Sequence, residues 1–229
     1  MFEAFFDAWA RRGRHSIAPE DLPEARAVFT EILEPLLAEL PAADAAVERA
    51  RLLGSATTEG FAESVFRLEA EQGEPVVGRL LEHELNGEFD IEGEEGTRRV
   101  SLRGTADRID LLGDSTFRIL DYKLGRAPNT SRALQLPIYA VCAGQQFSQQ
   151  GSPRTLAEAG YIPFAGLKRF VPLARPSERE AAVRDAQARL VKAIDEMALG
   201  EFPPRPAEPF LCTWCPYSGV CRKDYVGDV

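Results

Sequence analysis

A mixed helix-and-sheet fold, α/β or α+β, follows from three observations. Apolar residues recur at helical spacing through the first third of the chain, the spacing drops to two between Leu85 and Tyr122, and helical spacing returns on either side of two short strand-like segments.

Taken in order, Met1 to Arg12 sets Phe2, Phe5, Phe6 and Trp9 on roughly one helical face. The pattern runs from the first residue without a capping residue before it, which reads as a helix whose beginning lies upstream. Asp21 to Leu40 and Ala42 to Leu53 are further amphipathic helices, and Thr57-Thr58-Glu59 can cap another running to about Gln72. Strand spacing follows at Leu85–Ile91, Arg99–Gly104, Ala106–Leu112 and Phe117–Tyr122. With turns at Glu94-Glu95-Gly96 and Gly113-Asp114-Ser115, these segments predict an antiparallel meander. Ser131 to about Gln146 returns to helix, Ala159–Phe164 and Arg169–Val171 are short strands, and Ser177–Leu199 is a long charged helix.

With 229 residues and 45% hydrophobic content, the chain suffices for one compact unit. The expected division is a helical part over 1–80, a core over 81–200, and a proline-rich linker with a cysteine tail over 201–229. No run of about 18 apolar residues occurs, so no membrane span is expected. The N-terminus lacks a basic region and a small-residue cleavage site, and a cytoplasmic location is the default expectation. A net charge of −9 argues against a protein that coats nucleic acid through phosphate neutralisation. Any such contact is therefore local, and the one basic stretch, Arg98 to Arg132, surrounds the most informative motif.

That motif is Gly104-Thr105-Ala106-Asp107-Arg108-Ile109-Asp110, a turn, and Ile119-Leu120-Asp121-Tyr122-Lys123. Asp121 and Lys123 share a strand face, and Asp107 on the neighbouring strand can meet that face across the ladder. Two carboxylates and an ammonium brought together are costly unless a cation intervenes. Oxygen-only ligation favours Mg2+ or Mn2+, which suits phosphodiester hydrolysis with Lys123 orienting water and steadying charge.

Gly-x-x-Asp-Arg-Ile-Asp, then Ile-x-Asp-Tyr-Lys-x-Gly, then Gln135-Leu136-Pro137-Ile138-Tyr139 resembles, in order and spacing, the nuclease domain of the PD-(D/E)XK superfamily in its RecB/AddB branch. The resemblance covers about Leu81 to Cys221. It implies an α/β restriction-endonuclease-like core, with a mixed central sheet carrying an antiparallel meander, flanking helices and a helical N-terminal third. It further implies that Asp107, Asp121 and the Tyr122 carbonyl hold the metal and that Lys123 is the catalytic lysine. Glu84 is a further candidate acid, matching one often found before the first strand. Gln135 and Tyr139, four apart on one helical face, would border the DNA. Arg108 and Arg126 are assigned to substrate, and Arg103, Arg132, Lys168 and Arg169 are further candidates for phosphate contact.

Cys212, Cys215 and Cys221 form C-x2-C-x5-C, a spacing suited to a metal or an iron–sulfur cluster. In the resembling family this triplet joins a distant upstream cysteine around a 4Fe-4S cluster. Zn2+ on three cysteines with His15 or His83 is the chemical alternative. The remaining cysteine, Cys142, shares a helical stripe with Gln135 and is expected to be buried. A Gly-x-x-x-His element that the family usually carries before its first helix is absent. The expectation is thus a C-terminal piece of a longer protein, working with a helicase subunit or an upstream domain in processing DNA breaks. The competing reading is a catalytically impaired DNA-binding or scaffolding module of the same fold.

Overall fold

The computed structural model describes residues 1–202, 206 and 209–221. Part of the predicted proline-rich linker, 203–205, lies outside them.

Four helices open the chain: α1 (Phe2–Arg11), α2 (Leu22–Ala38), α3 (Ala42–Leu53) and α4 (Phe61–Glu71). Their apolar stripes meet, with Phe5, Phe6, Trp9, Phe29, Leu33, Val65 and Phe66 all buried in one cluster. Strands β1 (Val76–Glu84), β2 (Gly87–Gly93), β3 (Gly96–Leu102), β4 (Thr105–Leu112) and β5 (Thr116–Lys123) follow. Helix α5 (Gln135–Gln149) crosses to β6 (Thr155–Pro163), then come the short β7 (Val171–Pro172) and the long α6 (Arg179–Ala198). The sheet runs β1-β4-β5-β6-β7, with β5 and β6 parallel and the other pairs antiparallel. A parallel pair needs a crossover, and α5 is that crossover. The mixed sheet between helical layers is the restriction-endonuclease-like α/β architecture expected from the sequence.

Strand alternation divides the sheet between two cores. Ile109, Ile119 and Ala159 face α5 and α6, whereas Leu120 and Ile162 join the cluster of N-terminal helices. Strands β5 and β6 are therefore apolar on both faces, as a sheet covered on both sides requires.

Two sequence expectations need correction. Strand spacing starts at Val76 rather than Leu85: β1 has no clean alternation because Leu80 packs toward one core and Leu81 toward the other. The predicted four-strand meander is also split. β2 and β3 form their own two-stranded sheet, and it is β1 that flanks β4. This hairpin is tied down by α5 and α6. The Gln145 side chain accepts from Asp90 N–H and donates to Asp90 O, Gln187 accepts from Glu92 N–H, and a Cβ on Gly93 would lie 2.8 Å from Val191.

A charged network stands where apolar contact would be expected between β1, β4, β5 and the helical layer. Arg108 and Asp110 are fully buried and doubly bonded to each other, and Arg108 also donates to Glu69 on α4 at 2.6 Å. Arg79 bridges Glu69 and Asp110, and Arg118 donates to Asp110 at 2.6 Å. The Phe6 ring covers the guanidinium groups of Arg79 and Arg108, at 3.9 and 4.5 Å. Cys142, a residue of α5, is buried as expected, and burial pushes its thiol up to about 12.

Removing one partner of such a group leaves a buried charge uncompensated. Glu69→Gln or Arg108→Met is expected to destabilise the protein by about 3–5 kcal/mol in urea unfolding, and a loss under about 1 kcal/mol would refute the network's role. Burial by itself raises the Glu69 and Asp110 pKa values, but the arginines outweigh it and both end lowered. Their contribution is thus full above the unfolded value of roughly 4 and is lost as the pH falls through the lower folded values. The deficit of Glu69→Gln should accordingly narrow in acid.

Candidate active site

Asp107 and Asp121 lie where β4 and β5 part. The β4–β5 ladder ends at Arg108 opposite Leu120, one step short of pairing the two aspartates. Instead the Tyr122 N–H donates to Asp107 Oδ2 at 2.9 Å, which fixes that carboxylate against the end of β5. Asp121 pairs across the parallel ladder with Tyr161. Lys123, two residues on and on the same face, places Nζ 2.7 Å from Asp121 Oδ2 and 5.9 Å from the centre of the Tyr161 ring.

The Asp121 carboxylate is poorly served. Its side chain is 7% exposed, and Oδ2 has no hydrogen bond of good geometry, only the charge of Lys123. Burial raises its pKa, Lys123 works against that shift, and the negative charge of Asp107 adds to it. The same surroundings push the Tyr161 hydroxyl up to about 12, through burial first and then Asp121.

Sequence reading missed one acid here. Glu82 sits between the pairs Leu81–Arg108 and His83–Ala106, which puts it across from Asp107. Its φ of 45° is a left-handed conformation rare for a side-chain-bearing residue in a strand. Burial raises its pKa, with Asp107 and then Glu3 adding to the shift. The signal for it was the β1 register, which was not legible without the strand.

Glu84, the predicted acid, lies two residues further along, opposite Thr105. Its carboxylate accepts from Asn86 at 3.1 Å. Arg108 cannot touch substrate, because it is wholly enclosed in the ion network. Arg126 is exposed on the loop after β5, as a phosphate contact requires. Gln135 is exposed at the first residue of α5, and Tyr139 one turn later covers the approach to β4, where a Cβ on Gly104 would lie 2.4 Å from the Tyr139 hydroxyl. Gly104 is thus required by the ring above it. Of the other candidate phosphate contacts, Arg103 and Lys168 are exposed, Arg132 is exposed with its carbonyl accepting from Arg189, and Arg169 is held by Glu59 and Glu71.

The donors expected from the sequence are the two carboxylates and the Tyr122 carbonyl, all hard oxygens, and the structure adds that Asp121 Oδ2 is buried with only Lys123 beside it. That set fits Mg2+ or Mn2+, which bind through one or two carboxylates and keep several waters. Among the described residues, no group of three or more His, Cys, Asp or Glu side chains is gathered closely enough to hold a metal by itself. This applies equally to Cys212, Cys215 and Cys221, which lie half-buried on the turns from Pro209 to Cys221.

A sequence model of the PD-(D/E)XK nuclease superfamily matches residues 2–222, and the chain belongs to that superfamily. No curated protein matches. Among solved structures, one titled "Crystal structure of SSO0001" is similar at 17% identity and a TM-score of 0.35, over 62% of this chain. The match spans 60% of the length of that solved chain.

Without a cation, burial and the neighbouring Asp107 disfavour the charged form of Asp121. Asp121→Asn is therefore expected to raise the melting temperature of the metal-free protein, by about 2–4 °C per kcal/mol recovered. The same change should abolish any rise in melting temperature on adding MgCl2. A lower melting temperature for the metal-free variant would contradict the assignment.

Proposed function

We propose that this chain is a metal-dependent deoxyribonuclease that hydrolyses phosphodiester bonds at Asp107, Asp121 and Lys123. The observation carrying this reading is the meeting of these three at the parting of β4 and β5, with Asp121 Oδ2 buried and met only by the Lys123 ammonium. Mg2+ or Mn2+ held by Asp107, Asp121 and the Tyr122 carbonyl supplies charge neutralisation at the phosphoryl group and activation of water.

The chain's own residues do the rest. The Tyr122 N–H keeps the Asp107 carboxylate in place, so the geometry is set before substrate arrives. Lys123, about one-third exposed, turns its ammonium toward Asp121 and can hold an attacking water or steady charge on the phosphate. Gln135, Tyr139 and Arg126 border the approach.

Within this reading the chain acts as the exonuclease part of a helicase–nuclease in double-strand-break repair. That narrower role rests on the order of the motifs and on the cysteine spacing. The cysteines would carry a 4Fe-4S cluster, with Zn2+ as the alternative.

Labelled single- and double-stranded DNA, incubated with Mg2+ or Mn2+, tests the chemistry. Asp121→Ala and Lys123→Ala are expected to cut at least about a hundredfold more slowly than the wild type. Equal degradation by all three would sink the active-site assignment, and no degradation by any of them would favour the reading of an impaired binding module. For the tail, anaerobically purified protein should contain iron and absorb near roughly 400 nm. Colourless, zinc-loaded protein would refute the cluster.

A further inference from the structure

The Lys123 ammonium stands between two neighbours. Its Nζ is 2.7 Å from Asp121 Oδ2 and lies over the Tyr161 ring, 5.9 Å from the ring centre. An ammonium set over an aromatic face within about 6 Å is attracted by the negative side of the ring quadrupole.

The two neighbours differ in what else they serve. Under the nuclease reading Asp121 gives its oxygens to a cation, and an oxygen so engaged is lost to Lys123. A divalent charge close to an ammonium also repels it. The Tyr161 ring is uncharged, and its face stays available to Lys123 whether Asp121 is engaged or not.

The fold makes this ring a fixed support. Tyr161 belongs to β6, the strand between β5 and β7, and it is paired on both sides, with Asp121 in the parallel ladder and with Val171 in the antiparallel one. The residue is 1% exposed and packs in the same core as Ile119 and Ala159. Phe170, which packs against the other core, lies so close to the preceding residue that a Cβ on Gly160 would fall 2.1 Å from its ring. The backbone that carries Tyr161 is thus held by two ladders and by that ring. Lys123, by contrast, is about one-third exposed on a flexible four-carbon stem, so its position depends on what its ammonium meets.

We propose that Tyr161 is the positioning residue for Lys123, its ring face keeping the ammonium beside Asp121 when that carboxylate is engaged by a cation. The proposal rests on the nuclease reading of Asp121 and Lys123 and gives Tyr161 no contact with substrate. Packing alone asks only for a side chain of the right volume at this position, whereas holding an ammonium asks for electron density on the ring face. Those two demands separate by experiment.

Ring electron density can be varied at nearly constant shape, by Tyr161→Phe and then by phenylalanines carrying one, two and three fluorines at the same position. Tyr161→Phe keeps the face and should hold kcat for cleavage of labelled DNA within about twofold of the wild type. Each fluorine should lower kcat, reaching roughly tenfold below Tyr161→Phe with three, while KM and the melting temperature stay constant. A second readout needs neither metal nor catalysis. In EDTA and in an Asp121→Asn background, labelling of Lys123 by an amine-reactive ester, followed by peptide mass, should quicken along the same series, because an ammonium held on a ring reacts more slowly than a free one. Constant kcat and constant labelling across the series, or a kcat that falls only in step with the melting temperature, overturns the proposal. If the series is flat while Asp121→Ala and Lys123→Ala abolish cleavage, Tyr161 is core packing alone and the nuclease reading stands. If labelling quickens with fluorination but no protein cuts DNA, the ring holds Lys123 and the nuclease reading falls.

Discussion

The buried ion network between the sheet and the N-terminal helices is the constraint on which the other features depend. Three arginines, Arg79, Arg108 and Arg118, meet two acids, Glu69 and Asp110, in a layer where each of the five is almost completely enclosed. Charges removed from water attract strongly, but desolvation opposes them, so such a group gives little net stability compared with an apolar core. Its tolerance for misplacement is far smaller. An apolar face can slide by a fraction of a side chain, whereas bonds of 2.6 to 2.8 Å from Arg108 to Glu69 and Asp110 lose much of their strength with a small shift. We regard the network as a register device that seats α4 on the sheet in one position.

The same stretch of sequence serves both that device and the candidate site. In Asp107-Arg108-Ile109-Asp110, alternation sends Arg108 and Asp110 to the helical layer, sends Ile109 to the α5 side, and leaves Asp107 beyond the last ladder pair. Two aspartates on neighbouring strands thus have opposite fates. Asp110 is surrounded by arginines and its pKa falls, while Asp121, across from Asp107 and served by one lysine, has its pKa raised. The first is electrostatically satisfied and structural. The second is left short of positive charge, which is the condition a bound cation relieves.

This division explains how far the sequence could be read. Helices α1 to α4 and strands β4 and β5 were legible because their periods are clear and Asp107, Asp121 and Lys123 stand in a dense motif. Strand β1 was not, since a strand with cores on both faces and Arg79 in a buried network shows neither alternation nor a plain apolar run. With β1 unseen, Glu82 could not be set opposite Asp107, and Glu84 took its place. Arg108 was misread for a related reason. An arginine in a basic stretch next to a catalytic acid suggests phosphate, and only the fold shows two acids enclosing it.

The network and the cavity beside Asp107 are built from the same two helices. α4 gives Glu69 to the network from its last turn and Phe61 to the cavity from its first residue. α1 lays Phe6 over Arg79 and Arg108 while Phe2 and Glu3, about one turn earlier, line the same cavity as Asp107. Helices are stiff over this length, so fixing one end fixes the other. Tyr122 closes the circuit: its hydroxyl accepts from Arg108, its ring stacks on Phe2, and its N–H holds Asp107. A single residue of β5 thus touches the network, the Phe2 ring of α1 and the carboxylate at the candidate metal site. The placement of Asp107 is therefore tied, through Tyr122, to charge pairing inside the fold.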